Sequence, residues 1–233
     1  NIYVLNHDGS SVQGFPVNID QKVLRGVALK DLDGNSRDDI IVATETDDQI
    51  LLIKDDSSIS VLHTASDKFK SAPVIAEIDG EDYIFAGSDD DTLYGLNVEG
   101  QLVYEFTTND RIRTSPAFYQ YGNSVSIFYG SYDGYLYGRD KYGNNLAGLP
   151  IDIGSSIVTS PVISDLNNDS SVEIVFGTSD GSIVAINTNG QMLDYFPIET
   201  GVGVTGSPML SDLDGDGDAE VIVGANTTLF GID

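Results

Sequence analysis

The sequence lacks cysteine and tryptophan, and it has only two histidines and no long hydrophobic run. Without cysteine there can be no disulfide, no thiol nucleophile and no thiolate metal ligand. No apolar stretch approaches the ~18 residues of a membrane-spanning helix, so we expect no membrane span, and no signal peptide is visible. Because the first residue is Asn1 rather than methionine, we expect a mature or excised piece of a larger multidomain protein.

Basic residues are also scarce. The 233 residues include 37 acidic and 11 basic side chains, which gives a formal net charge of −26. This charge repels phosphate, so nucleic acid and anionic membrane surfaces are disfavoured as general partners. Hydrophobic residues make up 40% of the chain, which is enough for a sizeable core. Many of the carboxylates lie together in loops, which points to a bound cation.

Three nine-residue segments share one pattern of oxygen-bearing side chains. Residues 31–39 read DLDGNSRDD, residues 165–173 read DLNNDSSVE and residues 212–220 read DLDGDGDAE. Oxygen side chains recur at positions 1, 3, 5 and 9, and glycines at positions 4 and 6 of the last segment permit tight turns. Calcium takes roughly six to eight oxygen ligands, which a sharply turning loop can supply. The pattern predicts three calcium loops; solvated acidic turns without an ion are the alternative.

The apolar runs that follow these loops belong to an internal repeat. Five such runs end at steps of 44, 43, 47 and 47 residues, at Ala43, Gly87, Gly130, Gly177 and Gly224. The seven prolines support the same frame because they occupy only two repeat positions. Four precede the loop position (Pro73, Pro116, Pro161 and Pro208), and three lie at the end of a unit (Pro16, Pro150 and Pro197).

Each unit is predicted to contain four short strands joined by hairpin turns. In the fourth unit we predict strands at 160–164, 173–177, 182–186 and 191–196, because Asp-Gly and Asn-Gly turn sequences separate the later ones. No segment has helical periodicity over a useful length. Four-stranded antiparallel units of ~40–50 residues are typical of propeller blades, so we predict an all-β protein, a β-propeller.

The repeat divides one predicted domain, residues 1–233, into four complete units and two partial ones. The boundaries are 1–18 (partial), 19–64, 65–107, 108–153, 154–200 and 201–233 (partial). The partial units add two strands at one end and three at the other, one more in total than five four-stranded blades need. We favour about five blades closed by pairing of the two termini, with an arc of a larger propeller as the alternative.

At these loops and runs the chain resembles the FG-GAP/VCBS repeats of exported bacterial proteins and of the integrin α-subunit propeller, over essentially its whole length. In that family the loop binds calcium through side chains at positions 1, 3, 5 and 9 and a backbone carbonyl at position 7. The resemblance therefore implies about three structural calcium ions. The implied ligands are Asp31, Asp33, Asn35, the Arg37 carbonyl and Asp39; Asp165, Asn167, Asp169, the Ser171 carbonyl and Glu173; and Asp212, Asp214, Asp216, the Asp218 carbonyl and Glu220.

The second and third units depart from the loop pattern. The segment Glu77–Asp82 is too short to surround an ion and Gln120–Asn123 has no carboxylate, so we predict no metal in either unit. Both units resemble the quinoprotein-type repeat instead, as in the residues SDDDTLYGLN at 88–97. The tryptophan usual in that repeat is missing, so we expect no bound quinone.

Basic residues concentrate in the connections between units. Alternation of antiparallel strands places these connections on the face opposite the calcium loops. We predict that they form an anion-accepting patch there, suited to an acidic polysaccharide or a carboxylate-bearing protein. The alternative is that the cations balance neighbouring carboxylates such as Asp67, Asp89 and Asp110. The predicted patch consists of Lys22, Arg25, Lys68, Lys70, Arg111, Arg113, Tyr132 and Tyr135.

Signs of catalysis are few. Neither His7 nor His63 has a nucleophile in register, and no serine lies in a nucleophile-elbow sequence. We therefore expect a calcium-stabilised, noncatalytic binding or adhesion module of an exported or cell-surface protein, where calcium is abundant. A lyase-like enzyme acting on acidic glycans is the first alternative and a structural spacer the second, because a propeller fold does not decide function.

Overall fold

The computed structural model describes residues 1–232, which contain nineteen β-strands and no α-helix. The strands form five antiparallel sheets, and within each sheet they follow the order of the chain. Four sheets have four strands and the last has three. The predicted all-β architecture of four-stranded units is thus confirmed. Within residues 1–232, no helix has the length and apolar character needed to cross a membrane.

The strands have the following bounds. Sheet 1 consists of β1 (Ala28–Lys30), β2 (Asp39–Ala43), β3 (Gln49–Ile53) and β4 (Ile59–Thr64). Sheet 2 consists of β5 (Val74–Ile78), β6 (Glu81–Gly87), β7 (Thr92–Asn97) and β8 (Leu102–Thr107). Sheet 3 consists of β9 (Ala117–Tyr121), β10 (Ser124–Gly130), β11 (Tyr135–Asp140) and β12 (Ile151–Asp152). Sheet 4 consists of β13 (Val162–Ser164), β14 (Glu173–Gly177), β15 (Ser182–Asn187) and β16 (Ile198–Glu199). Sheet 5 consists of β17 (Met209–Ser211), β18 (Glu220–Ala225) and β19 (Thr228–Ile232).

In sheets 1 and 4 the second strand is buried on both faces, which explains its continuous apolar run. In sheet 1, all five residues of β2 are buried. Ile41 packs with residues of sheet 2, whereas Ile40 and Val42 pack on the opposite side with Val17. In sheet 4, Phe176 likewise packs with residues of sheet 3, while its neighbour Val175 packs on the opposite side with residues of sheet 5. Stacking of sheet on sheet therefore forms the core.

The chain divides into two compact parts, Asn1–Glu105 and Phe106–Asp233, with the boundary inside β8. In the first part, residues 1–17 form a hairpin in which Ile2 and Val17 exchange backbone hydrogen bonds of 2.9 Å. This hairpin packs against β2 and β3. In the second part, the last sheet has three strands in the described residues. Closure of the propeller by the chain ends, and the single domain with its unit boundaries, stay predictions.

The predicted outermost strand of the fourth unit is wrong. We expected it at 191–196, but those residues form a bridge and a turn, and the strand begins after Pro197, as β16. Within the turn, Tyr195 has a left-handed φ of 69° and the Phe196 N–H donates to the Leu193 carbonyl. Pro197 has no N–H to donate to a ladder, so a strand starts only beyond it. The other three predicted strands correspond to β13, β14 and β15.

Candidate metal loops

Three loops with the same backbone conformation join the first and second strands of their sheets. We call residues 31–39 loop 1, residues 165–173 loop 4 and residues 212–220 loop 5. Positions 4 and 6 have a left-handed φ in every loop, although only three of the six residues are glycine. The φ values are 76° at Gly34, 69° at Ser36, 55° at Asn168, 71° at Ser170, 85° at Gly215 and 105° at Gly217. Two left-handed residues turn the chain tightly enough to direct several oxygens inward.

The first carboxylate of each loop closes the turn. In loop 1, the oxygens of Asp31 accept hydrogen bonds of 2.8 Å from the backbone N–H groups of Gly34 and Ser36. Asp165 and Asp212 accept from positions 4 to 6 of their own loops, at 2.6 to 3.2 Å. These bonds fix position 1 at the centre of the loop, where an Asp side chain is short enough to fit.

The last carboxylate of each loop is buried. Asp39, Glu173 and Glu220 are 0%, 2% and 9% exposed, and each accepts from the N–H of the leucine at position 2, at 3.2, 2.9 and 2.5 Å. Burial raises the pKa of Asp39 and of Glu173. The second oxygens of Asp39 and Glu220 have no hydrogen-bond partner among the described residues. A buried carboxylate with a free oxygen fits a bound cation, because an unpaired buried charge is costly.

Loop 5 has the densest group of carboxylates. Asp212, Asp214 and Asp216 can each place one oxygen within 4.8 Å of the others. Ligands at about 2.3–2.6 Å from a calcium ion are separated by distances of this size. Loops 4 and 5 also touch, since the Ala219 N–H donates to the Leu166 carbonyl at 3.3 Å. The residues present therefore fit calcium.

Loop 1 is held by side chains of the turn that follows β3. The Lys54 ammonium lies 2.9 Å from Asp33 Oδ2, and Asp55 pairs with the Arg37 guanidinium at 3.1 Å. Asn35 also donates to Asp55, at 3.3 Å. The hydrogen bond to Asp33 raises the pKa of Lys54. The sequence analysis missed Lys54, whose only signal was a lone lysine at the end of a third strand.

The second and third units have tight turns in place of the loop. Glu81 follows Ile78 across a two-residue turn in sheet 2, and Ser124 follows Tyr121 in the same way in sheet 3. A turn of this length has far fewer oxygens to offer than a nine-residue loop. Beside the turn in sheet 2, the Lys30 ammonium lies 2.5 Å from Asp82.

Three of the four predicted basic residues of the N-terminal part bind carboxylates or backbone through their side chains. Lys22 lies 2.5 Å from Glu45, and Lys70 lies 3.5 Å from Glu45 and 3.1 Å from Asp89. Arg25 donates to the Lys70 carbonyl. The ammonium of Lys22 is the main cause that lowers the pKa of Glu45. The alternative of charge balance therefore describes these cations well, with Glu45 as a partner that the sequence analysis did not name. Lys68 lies in the same connection, where its carbonyl accepts from the Asp89 N–H.

The predicted basic residues of the C-terminal part surround an aromatic ring. The guanidinium carbons of Arg111 and Arg113 lie 4.5 and 5.2 Å from the centre of the Tyr132 ring. Arg111 Nε is buried and has no hydrogen-bond partner within residues 1–232. Tyr135 is not one of the rings beneath these guanidinium groups; it pairs with Asp152 across sheet 3, and the charge of Asp152 raises the pKa of Tyr135. The structure thus brings three of the four residues together.

The two histidines occupy different surroundings. His7 is exposed in a turn. His63 lies in β4 with its ring centre 4.5 Å from that of Tyr94, and burial lowers its pKa. Its Nε2 is buried without a hydrogen-bond partner in the described part of the chain.

Comparison with protein families matches the profile described as FG-GAP-like repeat to residues 165–223. This match begins at the first residue of loop 4 and extends through loop 5 into β18. Residues 165–223 are an FG-GAP-like repeat. Loop 1, which has the same left-handed positions and the same buried final carboxylate, reproduces the FG-GAP-like loop outside the matched range. A search of curated proteins found no match.

Solved structures show that the FG-GAP-like repeat here is part of a β-propeller. Sqt1 of Saccharomyces cerevisiae is similar with a TM-score of 0.73 and 14% identity, over 99% of this chain and 66% of that one. The V. cholerae biofilm matrix protein Bap1 gives 0.67 and 17%, over 92% and 38%. BBS1N, solved in complex with ARL6DN, gives 0.66 and 16%, over 91% and 63%. The chain therefore spans about two thirds or less of each of these solved chains.

Proposed function

We propose that this FG-GAP-like propeller is a calcium-stabilised, noncatalytic binding or adhesion module of an extracellular or cell-surface protein. The observation that carries the calcium part is the buried carboxylate at the end of each loop. Asp39 and Glu220 each keep one buried oxygen without a hydrogen-bond partner among residues 1–232. A cation within the loop would satisfy that oxygen and the charge of its neighbours.

All three loops would supply the same set of calcium ligands. The side chains at positions 1, 3, 5 and 9 and the carbonyl at position 7 would hold the ion in each loop. Calcium, when bound, supplies the positive charge that the carboxylates of the loop require. The backbone N–H groups already fix Asp31, Asp165 and Asp212, so a loop needs little reordering on binding. About three ions per chain are expected.

The adhesion part rests on the fold and on one face of it. The protein resembles in fold a biofilm matrix protein, which supports a role at or outside the cell surface. Among the predicted basic residues, Arg111 and Arg113 on Tyr132 are best suited to a carboxylate-bearing ligand, because two guanidinium groups lie over one ring there and place two positive charges side by side. A planar guanidinium binds a carboxylate through paired hydrogen bonds.

The test is binding of the full chain to an immobilised acidic polysaccharide, polygalacturonate, in calcium. Arg111→Glu should weaken binding at least fivefold. Lys141→Glu is the matched control, since Lys141 also lies over a tyrosine ring, that of Tyr142, at 5.4 Å, but in a turn between third and fourth strands. Equal losses in both variants would contradict the assignment of the face. Release of unsaturated products from the polymer would contradict the noncatalytic role and favour the lyase.

A further inference from the structure

Loop 1 differs from the other loops because a lysine already neutralises one of its carboxylates. The Lys54 ammonium lies 2.9 Å from Asp33 Oδ2, and both side chains are about one third exposed, 37% and 33%. Asp33 occupies position 3, which the calcium loop would use as a ligand. The positive charge of Lys54 also favours the ionised form of Asp39, the buried carboxylate at position 9.

The register of the strands identifies the residue that replaces Lys54 in loop 4. Ile40 pairs with Ile53 in sheet 1, so Lys54 stands opposite Asp39 just beyond the ladder. In sheet 4 the buried carboxylate of the loop, Glu173, pairs with Asn187. Asn187 is therefore the structural counterpart of Lys54.

Asn187 does not neutralise its loop. Its side chain closes the following turn, since Nδ2 donates to Gln191 Oε1 and Oδ1 accepts from the Gln191 N–H, both at 3.0 Å. The corresponding residues of units two and three are Asn97 and Asp140, the last residues of β7 and β11. Among these four units, the first alone has a basic residue at this position, and the hairpins of the other three form without one.

We propose that Lys54 is an internal cation that competes with calcium for loop 1, so that loop 1 binds calcium more weakly than loop 4. This inference rests on the proposed calcium sites. A divalent ion must displace the ammonium from Asp33 before that carboxylate can become a ligand. Loop 1 also keeps its shape without calcium through Lys54 and the pair of Arg37 with Asp55.

Each single substitution that introduces the other loop's residue should change calcium affinity, in opposite directions for the two loops. Lys54→Asn should tighten the weakest calcium-binding step of the chain at least fivefold, because a partly exposed ion pair and the repulsion of a nearby positive charge are both removed. Asn187→Lys should weaken one of the tighter steps by a similar factor. Both effects should shrink in high salt, which screens exposed charges.

The matched control is Lys30→Asn. Lys30 directly precedes loop 1 and is 38% exposed, close to the 37% of Lys54, but its ammonium pairs with Asp82 and Glu77 of sheet 2. The Lys30→Asn substitution removes the same charge near the loop without freeing a loop carboxylate. The affinity of the weakest calcium-binding step in this variant should stay within twofold of that in the unsubstituted protein.

The experiment is calorimetric titration of the full chain with calcium alone, after removal of metal with a chelator. The number of bound ions is counted by elemental analysis, and thermal unfolding in calcium confirms that each variant is folded. Tightening in Lys54→Asn but not in Lys30→Asn supports the competition. If three ions bind and Lys54→Asn leaves every step unchanged, or Lys30→Asn matches it, the competition is wrong and the calcium sites stand. If no ion binds to any of the proteins, the calcium sites and the competition both fail.

Discussion

Substitution Glu173→Gln should change stability in opposite directions with and without calcium. Glu173 is 2% exposed, and its side-chain oxygen Oε2 accepts a hydrogen bond from the Leu166 N–H at 2.9 Å. Burial raises its pKa above that of the unfolded chain, so ionisation of Glu173 lowers the free energy of unfolding as pH rises. Without a cation, the folded protein at neutral pH therefore contains a costly buried charge.

The magnitudes follow from these contacts. Glutamine keeps an oxygen for the Leu166 N–H and removes the charge, so in chelator the variant should gain about 1 kcal/mol. In calcium at a hundredfold excess over Kd, loss of the site should remove about 2.7 kcal/mol, and the gain of about 1 kcal/mol leaves a net loss of about 1.7 kcal/mol. For a chain of this size 1 kcal/mol corresponds to about 2–4 °C, so Tm should rise by about 2–4 °C in chelator and fall by about 3–7 °C in calcium.

The assay is thermal unfolding by circular dichroism at neutral pH in the two conditions. Glu199→Gln is the control, because Glu199 lies outside the loops and accepts a hydrogen bond of 3.0 Å from Ser182. Its effect on Tm should be the same with calcium and with chelator. A fall of equal size for Glu173→Gln in both conditions would refute the reasoning, since Glu173 would then act only as a hydrogen-bond acceptor.

Two further predictions concern the first part of the chain. Burial lowers the pKa of His63, so the stability contributed by its neutral form should be lost as pH falls below about 6.5, the pKa of histidine in the unfolded chain. Between about pH 7.5 and 5.5 the Tm of His63→Phe should therefore fall less than that of the unsubstituted protein. The control His7→Gln, at an exposed position, should show the same fall in Tm as the unsubstituted protein. Equal falls in all three proteins would count against this role of His63. A Cβ added at Gly95 would lie 2.6 Å from the Phe85 ring and 2.8 Å from Tyr104 Cβ, so Gly95→Ala should destabilise by about 1–3 kcal/mol in denaturant titration. Gly224→Ala, where a Cβ meets nothing within 4 Å, should be nearly neutral, and similar losses at both glycines would show that the predicted crowding is absent.

The repeat and the loop positions could be predicted because they depend on local chain chemistry. Positions 4 and 6 of the three loops share one backbone conformation even where Asn168 and Ser170 replace glycine. The spacing of oxygens in the sequence identified the loops without these glycines. The buried second strands could also be predicted from the sequence, because a strand that is buried on two faces requires an unbroken apolar run such as 174–176.

Short outer strands could not be predicted in the same way. The residues 191–196 contain strand-forming side chains, yet Pro197 and the left-handed Tyr195 decide that the ladder begins later. At the N-terminus, residues 12–17 form a turn and a single bridge, at Val17, rather than a regular strand. An outer strand gains little from packing, so local turns compete with it successfully.

Pairing of charges depends on which side chains the fold brings together. Glu45 and Lys22 are 23 positions apart in sequence and meet because a turn and a connection between units lie side by side. Lys54 reaches Asp33 for the same kind of reason, since the turn after β3 lies beside loop 1. Composition shows an excess of carboxylates but not which of them have partners.

The most direct test of the calcium loops is thermal unfolding of the whole chain with excess calcium and again with chelator, together with a count of bound metal. Each site at a hundredfold excess over Kd contributes ~2.7 kcal/mol, so one site alone should raise Tm by about 5–11 °C. The account predicts a fall of at least this size on chelation and about three calcium ions per chain. An unchanged Tm, or protein without bound metal, would contradict it and would leave the three loops as acidic turns.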